Sequence, residues 1–380
     1  MAEERTIKIL RIITRMNVGG PAVQITNMLN GLPSEEFQQR LYFGTCEAGE
    51  AEFISEIENK SVLHRIPGFR RSVTGFSEIG VLWYLIKEIR EFKPDVIHTH
   101  TAKAGFIGRI AAILSRSRAK RVHTFHGHIL YGYFNPIISS LYATLERILA
   151  IITDVIISVG PQVKADLLKF RIGKPRKHQV IFPGITIGPR IPKLQAWQSL
   201  KAAPKKMNIA FIGRFTTIKR VDRLVELARL CKQQGLDVQF VLAGDGPQLE
   251  KFHNIAMVEN LSMVFLGWRS DVELILSASD LLILVSDNEG TPIASIQASL
   301  LGVPTLATKV GSLPDIVISG KTGLLTGLNP DELYKSLREL YLNKDLLIEL
   351  GEAAKDFAQK RFSLNRYLQD YRDLYRKLAN

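Results

Sequence analysis

The stretch Val285–Thr308, VSDNEGTPIASIQASLLGVPTLAT, holds the densest set of residues able to do chemistry. An apolar run ends at Ser286, and a polar loop, Asp287-Asn288-Glu289-Gly290, follows. The pair Thr291-Pro292 predicts a helix start, because proline is favoured at a first helical position. The free amides of such a start, aligned with the helix dipole, make a site for an anion. Glu289 can accept hydrogen bonds from the hydroxyls of a ligand. Gln297 lies two helical turns further along and reaches the same ligand. A solvated loop carboxylate before an ordinary capped helix would show the same residues.

Three further groups could act with it. In Ile209–Arg220, IAFIGRFTTIKR, a strand ends in Gly213-Arg214, and Lys219 follows. Two cations at a strand's C-terminal end can clamp a diphosphate, one as a fork and one as a point charge; a solvated basic turn would look alike. In Met16-Asn17-Val18-Gly19-Gly20-Pro21, the glycines let the backbone approach a ligand at a helix N-terminus. The fingerprint G-x-G-x-x-G is absent there, which disfavours a nicotinamide dinucleotide. Finally, five of the eight histidines, His98, His100, His123, His126 and His128, flank the ends of two neighbouring strand candidates. A metal site is conceivable from the residue type, but acidic partners are lacking nearby; hydrogen-bonded histidines lining a cleft are the simpler expectation. Ser319-Gly320-Lys321-Thr322 resembles a phosphate loop but has Asp315 where the earlier glycine must stand. Gly244-Asp245-Gly246-Pro247 reads as turn chemistry alone.

Alternating elements must hold these groups. Strand patterns at Lys8–Thr14, Asp95–His100, Arg121–Phe125 and Val155–Val159 are separated by helical ones at Ala22–Leu29, Phe76–Phe92, Gly105–Leu114 and Pro136–Ile151. The rhythm breaks over Gly184–Lys206, which contains Pro189, Pro192 and Pro204. It restarts with strands at Asn208–Ile212, Val238–Ala243, Leu281–Val285 and Thr305–Ala307, and ends in three helix patterns. Such alternation implies parallel sheets covered by helices. The expected class is α/β, with two doubly wound Rossmann-like domains over 1–188 and 207–360, a linker over 189–206, and a closing helical segment over 361–380. Ligands of such sheets bind at the C-terminal strand edges, so a cleft between two facing edges is expected.

Composition sets the outer bounds. The chain has 380 residues, 46% of them apolar and 23% charged, as in a folded protein of two domains. Two cysteines, Cys46 and Cys231, exclude a disulfide scaffold and a four-thiolate zinc site, and point to the reducing cytosol. The start, MAEERTIKIL, does not read as an export signal. The nearest approach to a membrane span, Ile137–Val159, is interrupted by Glu146, Arg147 and Asp154; it reads as a buried or interfacial helix followed by a strand. The net charge of +13 is uneven: residues 1–190 hold 26 Lys/Arg against 16 Asp/Glu, and residues 191–380 hold 24 against 21. One half therefore meets an anionic surface or ligand.

Taken in order, these residues resemble the family 4 glycosyltransferases, retaining enzymes of the GT-B fold. The likeness covers nearly the whole chain and is strongest from Ile209 to Thr326. The family's E-x7-E motif falls on Glu289 and Gln297, so the second carboxylate is an amide here. The resemblance implies that Glu289 contacts the donor sugar and that Gln297 holds the ribose with one acceptor oxygen fewer. It implies that Arg214 and Lys219 bind the diphosphate and that Gly19 and Gly20 lie near the donor phosphates. Gly213 ends the strand before those cations, His126 stands beside the transferred sugar, and Trp268 and Arg269 belong to the loop that meets the nucleobase. Gly290, Thr291, Pro292 and Ile293 would turn amides toward the diphosphate and sugar. The final helix, Phe362–Leu378, would cross back onto the N-terminal domain. VHTHTAKAGFIGRIAA before HTFHGH is similar to bacterial members that build surface polysaccharides.

The activity so implied is transfer of a sugar from a nucleotide diphosphate donor, by family frequency a UDP-sugar, to a hydroxyl acceptor with retention. No metal or other cofactor is needed, because the cations and the helix start stabilise the leaving charge. The acceptor would be a glycan or lipid-linked precursor of the cell envelope. The basic N-terminal domain, through Arg70, Arg71, Lys103, Arg109, Arg116, Arg118, Lys120 and Arg121 and the helix Lys103–Ser115, would meet an anionic membrane from the cytoplasmic side. Other readings are a GT-B epimerase, a non-catalytic glycosyltransferase-like subunit and a nucleic-acid binder; no nucleic-acid motif accompanies the charge.

Overall fold

A computed structural model describes residues 5–47, 50–72, 75–127, 136–200 and 204–380. The chain divides into two units. The first comprises the described residues up to 127, residues 136–184 and Leu364–Asn380, and the second is Ile185–Ser363.

The first unit is built on seven parallel strands: β1 (Ile7–Arg15), β2 (Phe37–Gly44), β3 (Leu63–Arg65), β4 (Val96–His100), β5 (Lys120–Phe125), β6 (Val155–Ser158) and β7 (His178–Val180). Their spatial order is β3-β2-β1-β4-β5-β6-β7. Central strands read as continuous buried runs, IKILRIITR in β1 and VIHTH in β4, because helices cover both faces. The order reverses between β1 and β4, which makes their C-terminal ends the switch point where such sheets take ligands. The last helix, Leu364–Ala379, belongs to this unit. Tyr367, Tyr371 and Tyr375, four residues apart, form its buried face.

The second unit repeats the plan with β8 (Met207–Ile212), β9 (Val238–Ala243), β10 (Met263–Phe265), β11 (Leu281–Leu284), β12 (Thr305–Thr308) and β13 (Gly323–Thr326). The order is β10-β9-β8-β11-β12-β13, all parallel, with the switch point between β8 and β11. Ile209, Phe211, Phe240, Leu242, Leu281 and Ile283 meet Leu224, Leu227 and Leu337 of the covering helices in one buried cluster. Cys231 lies inside it.

Two expectations shift. The segment taken as linker contains a helix, Lys193–Leu200, and the two units divide at Gly184/Ile185. Eight residues carry too little period to stand out among three prolines; burial of Trp197 and packing on the helix Val272–Ala278 secure it. The helix expected to open with Pro292 starts at Ile293, and Pro292 stands one position before it, with ψ 108°.

Candidate functional site

At the switch point of the second sheet, the loops after β8 and β11 are bound together by charge. The Lys219 ammonium donates to both carboxylate oxygens of Glu289, at 2.6 and 2.8 Å. Ser286, at the end of β11, donates its hydroxyl to Glu289 Oε1 at 2.5 Å. Glu289 is only 7% exposed, so it is not the solvated loop carboxylate that the sequence also allowed. A carboxylate removed from water in this way requires such partners. Beside this pair, Arg220 Nη1 donates to both Asp287 oxygens at 3.1 Å, Arg223 meets the same carboxylate at 2.7 Å, and Asp287 N donates to Ile218 O. The loop holding Glu289 is thus tied to the loop holding Lys219 along its length.

Two glycines let the floor close up. Gly311, at φ +50°, receives Glu289 so closely that an added Cβ would stand 2.0 Å from Glu289 O. Gly244, at φ +145°, lies against the end of β8, where a Cβ would be 1.9 Å from Gly213 O. The turn Gly244–Pro247, dismissed from sequence as a mere turn, therefore packs on the strand end that presents Arg214. Gly213 itself has room for a Cβ, with Phe211 at 3.4 Å and Lys219 Cε at 3.9 Å.

The remaining expected residues fall on the same strand edge. Arg214 is exposed at the end of β8. Gly290, Thr291 and Pro292 lead into the helix Ile293–Leu300, and Gln297 is half-buried on it. Thr291 Oγ1 is buried with no hydrogen-bond partner among the described residues. Beyond β10, Gly244 N donates to Gly267 O, Trp268 is 52% exposed, and Arg269 donates to Asp271 at 2.8 and 2.5 Å. Sequence reasoning missed Ser286, Gly311 and the Arg220–Asp287 bridge. A serine three residues before the glutamate was the one signal available.

The first unit's switch point is built differently. Gly19 and Gly20 follow β1 at the start of the helix Gly20–Gly31; Gly19 is extended and a Cβ there meets nothing closer than 3.9 Å. Next to them are the histidines at the ends of β4 and β5. His100 Nδ1 and His126 Nε2 share a hydrogen bond of 2.9 Å. His98 is held at 2.7 Å by Tyr375 Oη and by Thr124 Oγ1, and its ring lies 4.1 Å from that of His100. His123 Nδ1 meets Thr99 Oγ1 at 2.8 Å. Burial pushes His126 down to about 3 and holds His98, His100 and His123 well below the usual range, so all four rings are neutral at pH 7. Among the described residues, no three His, Cys, Asp or Glu converge as a metal site. His128 lies outside the described residues.

Two cations expected on the basic face are otherwise engaged. Arg109 is buried, bonded to both Glu146 oxygens at 3.0 and 2.8 Å. The Lys103 ammonium donates to Arg70 O, Ser72 O and Glu78. Helical spacing alone does not reveal partners that far away in sequence. No helix among the described residues is long and apolar enough to cross a membrane.

Comparison with known proteins identifies the family and the fold. Residues 18–188 match the family model described as Glycosyltransferase Family 4, and residues 195–357 match the one described as Glycosyl transferases group 1. The chain belongs to the family 4 glycosyltransferases. It is 26% identical over 354 residues to the Escherichia coli UDP-Gal:alpha-D-GlcNAc-diphosphoundecaprenol alpha-1,3-galactosyltransferase, with 90% of each chain covered. It is 22% identical to the capsular polysaccharide biosynthesis glycosyltransferase CapM of Staphylococcus aureus, over 86% of this chain and 88% of that one. Anabaena HepE, solved with UDP and glucose, superposes with a TM-score of 0.80 at 19% identity, over 98% of this chain and all of that one. The fold of this family 4 enzyme is GT-B, and it is a glycosyltransferase.

Proposed function

We propose that the enzyme transfers a hexose, with retention, from a nucleoside diphosphate sugar to a hydroxyl of a lipid-linked or cell-envelope glycan precursor. The observation that carries this reading is the Lys219–Glu289 pair at the switch point of the second sheet. It sets an ammonium, suited to a phosphate, directly against a carboxylate, suited to sugar hydroxyls. UDP is the donor nucleotide we favour: the Escherichia coli relative is named for UDP-Gal and for a diphosphoundecaprenol-linked acceptor, and HepE was solved with UDP. CapM, named for capsular polysaccharide, supports a surface-glycan product.

In the reaction the bond from the anomeric carbon to the diphosphate oxygen breaks, and its electron pair leaves with the diphosphate. The acceptor oxygen bonds to the anomeric carbon on the same face, and its proton passes to the departing phosphate oxygen. Arg214, Lys219 and the amides over Gly290–Ile293 stabilise the charge that grows on the leaving group, without a metal. Glu289, held by Ser286 and Lys219, orients the sugar through its hydroxyls. His126, neutral at pH 7, adds no positive charge beside the cationic sugar. Gln297 takes the ribose, the Trp268–Arg269 loop the base, and Gly19 and Gly20 the donor phosphates.

Thermal denaturation against a panel of nucleotide sugars, in EDTA, tests donor class and metal independence together. A ligand of the native state raises the melting temperature by mass action. UDP-hexoses are expected to raise it in EDTA and GDP- or ADP-hexoses to do so less. Silence toward every nucleotide sugar would sink the reading.

A further inference from the structure

The helix Pro136–Ile151 has two apolar sides. One packs inward through Ala143, Leu149 and Ala150, with Glu146 beneath it on Arg109. The other is bare: Ile137, Leu141, Ile148 and Ile151 are 81, 59, 57 and 76% exposed. At the helical rotation per residue these four fall within an arc of about 80° and run roughly 20 Å along the axis. Thr144 also falls in this arc and is exposed, with its hydroxyl donating to Ser140 O at 2.9 Å; a surface helix normally puts polar residues throughout such an arc, and an exposed stripe of four large apolar side chains marks a docking surface.

Charge identifies the partner. Arg147 Nε donates to Phe170 O at 3.0 Å, and the Lys177 ammonium donates to the carbonyls of Ala150, Ile151 and Thr153 at 2.9, 3.0 and 2.6 Å. Residues 170–177 therefore border the helix's C-terminal end. In and beside that segment Lys169, Arg171, Lys174 and Arg176 are exposed. Few acids offset them: no Asp or Glu occurs between Asp95 and Glu146, or between Asp166 and Asp222. Of the nearby carboxylates, Glu146 is committed to Arg109 and Asp154 to Arg121. Burial, and behind it the crowding of Arg176, Arg121 and Lys174 against the opposing Asp154, holds the Lys177 ammonium below the usual lysine range.

We infer that this face docks onto the surface of a bilayer containing anionic phospholipid. The helix lies in the membrane plane, with its stripe at the acyl boundary and Arg147, Lys169, Arg171, Lys174 and Arg176 among the headgroups. Asp154 N donates to Arg121 O at the start of β5, so the helix ends beside the strand starts and its Ile137 end points toward the strand-end edge carrying His100 and His126. An acceptor anchored in the same bilayer would be presented toward that edge. This purpose rests on the lipid-linked acceptor proposed above; the docking itself rests on the stripe and its cations.

Sedimentation of the full chain with vesicles tests it, using phosphatidylcholine alone and phosphatidylcholine with phosphatidylglycerol. The wild type is expected to pellet with the mixed vesicles, less so as salt rises, and to stay in solution with phosphatidylcholine alone. The double variants Ile148→Asp/Ile151→Asp and Lys174→Glu/Arg176→Glu should each lower the partition about tenfold or more. Their circular dichroism melts and UDP-induced thermal shifts should match the wild type, since none of the four residues is in the core or the donor site. Pelleting without any UDP shift would leave docking intact and count against the donor reading alone. Docking is overturned if the wild type ignores anionic vesicles or if both variants pellet as the wild type does. It is equally overturned if light scattering shows a dimer that Ile148→Asp dissociates, which would give the stripe to a second copy of the chain.

Discussion

The two units share a strand order and differ in what stands at the reversal. In the second, between β8 and β11, an ammonium and a carboxylate meet under partial burial, with Lys219 on Glu289. In the first, between β1 and β4, the groups at the strand ends are neutral imidazoles, His98, His100 and His126, held by Tyr375, Thr124 and one another, and the nearest charge is the buried guanidinium of Arg11, which donates to Tyr375 Oη at 3.2 Å. The backbone plan therefore only supplies strand ends at which side chains converge; the chemistry depends on which residues occupy them. A charged edge suits a diphosphate and its sugar.

The charged edge should give the largest effect. On the proposed mechanism Lys219→Ala removes a leaving-group cation, and it leaves Glu289 buried with Ser286 as its remaining named partner, so kcat/KM for the donor should fall about 10²–10³-fold. Breaking a buried pair can also cost about 3–5 kcal/mol of stability, so a urea melt must accompany the kinetics. Full donor turnover in a folded Lys219→Ala variant would remove the distinction drawn between the edges.

Acid should separate the units next. His98, His100, His123 and His126 sit below their ordinary value of 6.5, His126 at about 3. The unfolded chain takes up protons on these rings as pH falls below 6.5, and the folded chain does so only far lower. Stability from their burial is thus complete above about 6.5 and is lost as pH falls below it, for His126 toward about 3 at about 1.4 kcal/mol per pH unit. In the second unit the shifted acids behave otherwise: Arg229 holds Glu259, and Arg269 holds Asp271, below the usual 4.5 and 3.8. Their contribution is present above those values and is lost only as pH falls through the lower folded ones. Hydrogen exchange between pH 6.5 and 4.5 should show the first unit's sheet losing protection before the second's. Simultaneous loss would contradict the neutral-histidine account.

The smallest effect is expected at Gln297. On the proposed ribose role, Gln297→Glu adds a second acceptor oxygen, worth about one hydrogen bond, and should lower the donor KM a few-fold with kcat little changed. An unchanged KM would remove Gln297 from the ribose.

Much of this was legible from local pattern. Strand–helix alternation is written in periodicity, so both sheets and the approximate ends of β1, β4, β8 and β11 could be read before any contact was known. Loop chemistry after β8 and β11 could be read too, because Arg214, Lys219 and Glu289 announce themselves by type beside a strand end. The helix start was misplaced by one residue, as ends fray between neighbouring cap positions. The helix Lys193–Leu200 was invisible because it is fixed by where Trp197 packs rather than by its period.

What the sequence determined by itself is the inventory: two α/β units, a glutamate and a glutamine two turns apart, cations at strand ends, and two long stretches without acid. Tertiary structure alone decided who meets whom. Lys219 and Glu289 are 70 residues apart and pair because β8 and β11, not neighbours in sequence, are neighbours in the sheet. Tertiary packing likewise put Tyr375 of the last helix on His98, 277 residues away, and withdrew Arg109 from the surface onto Glu146 of the helix Pro136–Ile151. It also left Ile137, Leu141, Ile148 and Ile151 uncovered on a helix whose composition alone read as buried or interfacial. Periodicity is a property of neighbours along the chain; partnership and exposure are properties of strand order, which only the packed sheet defines.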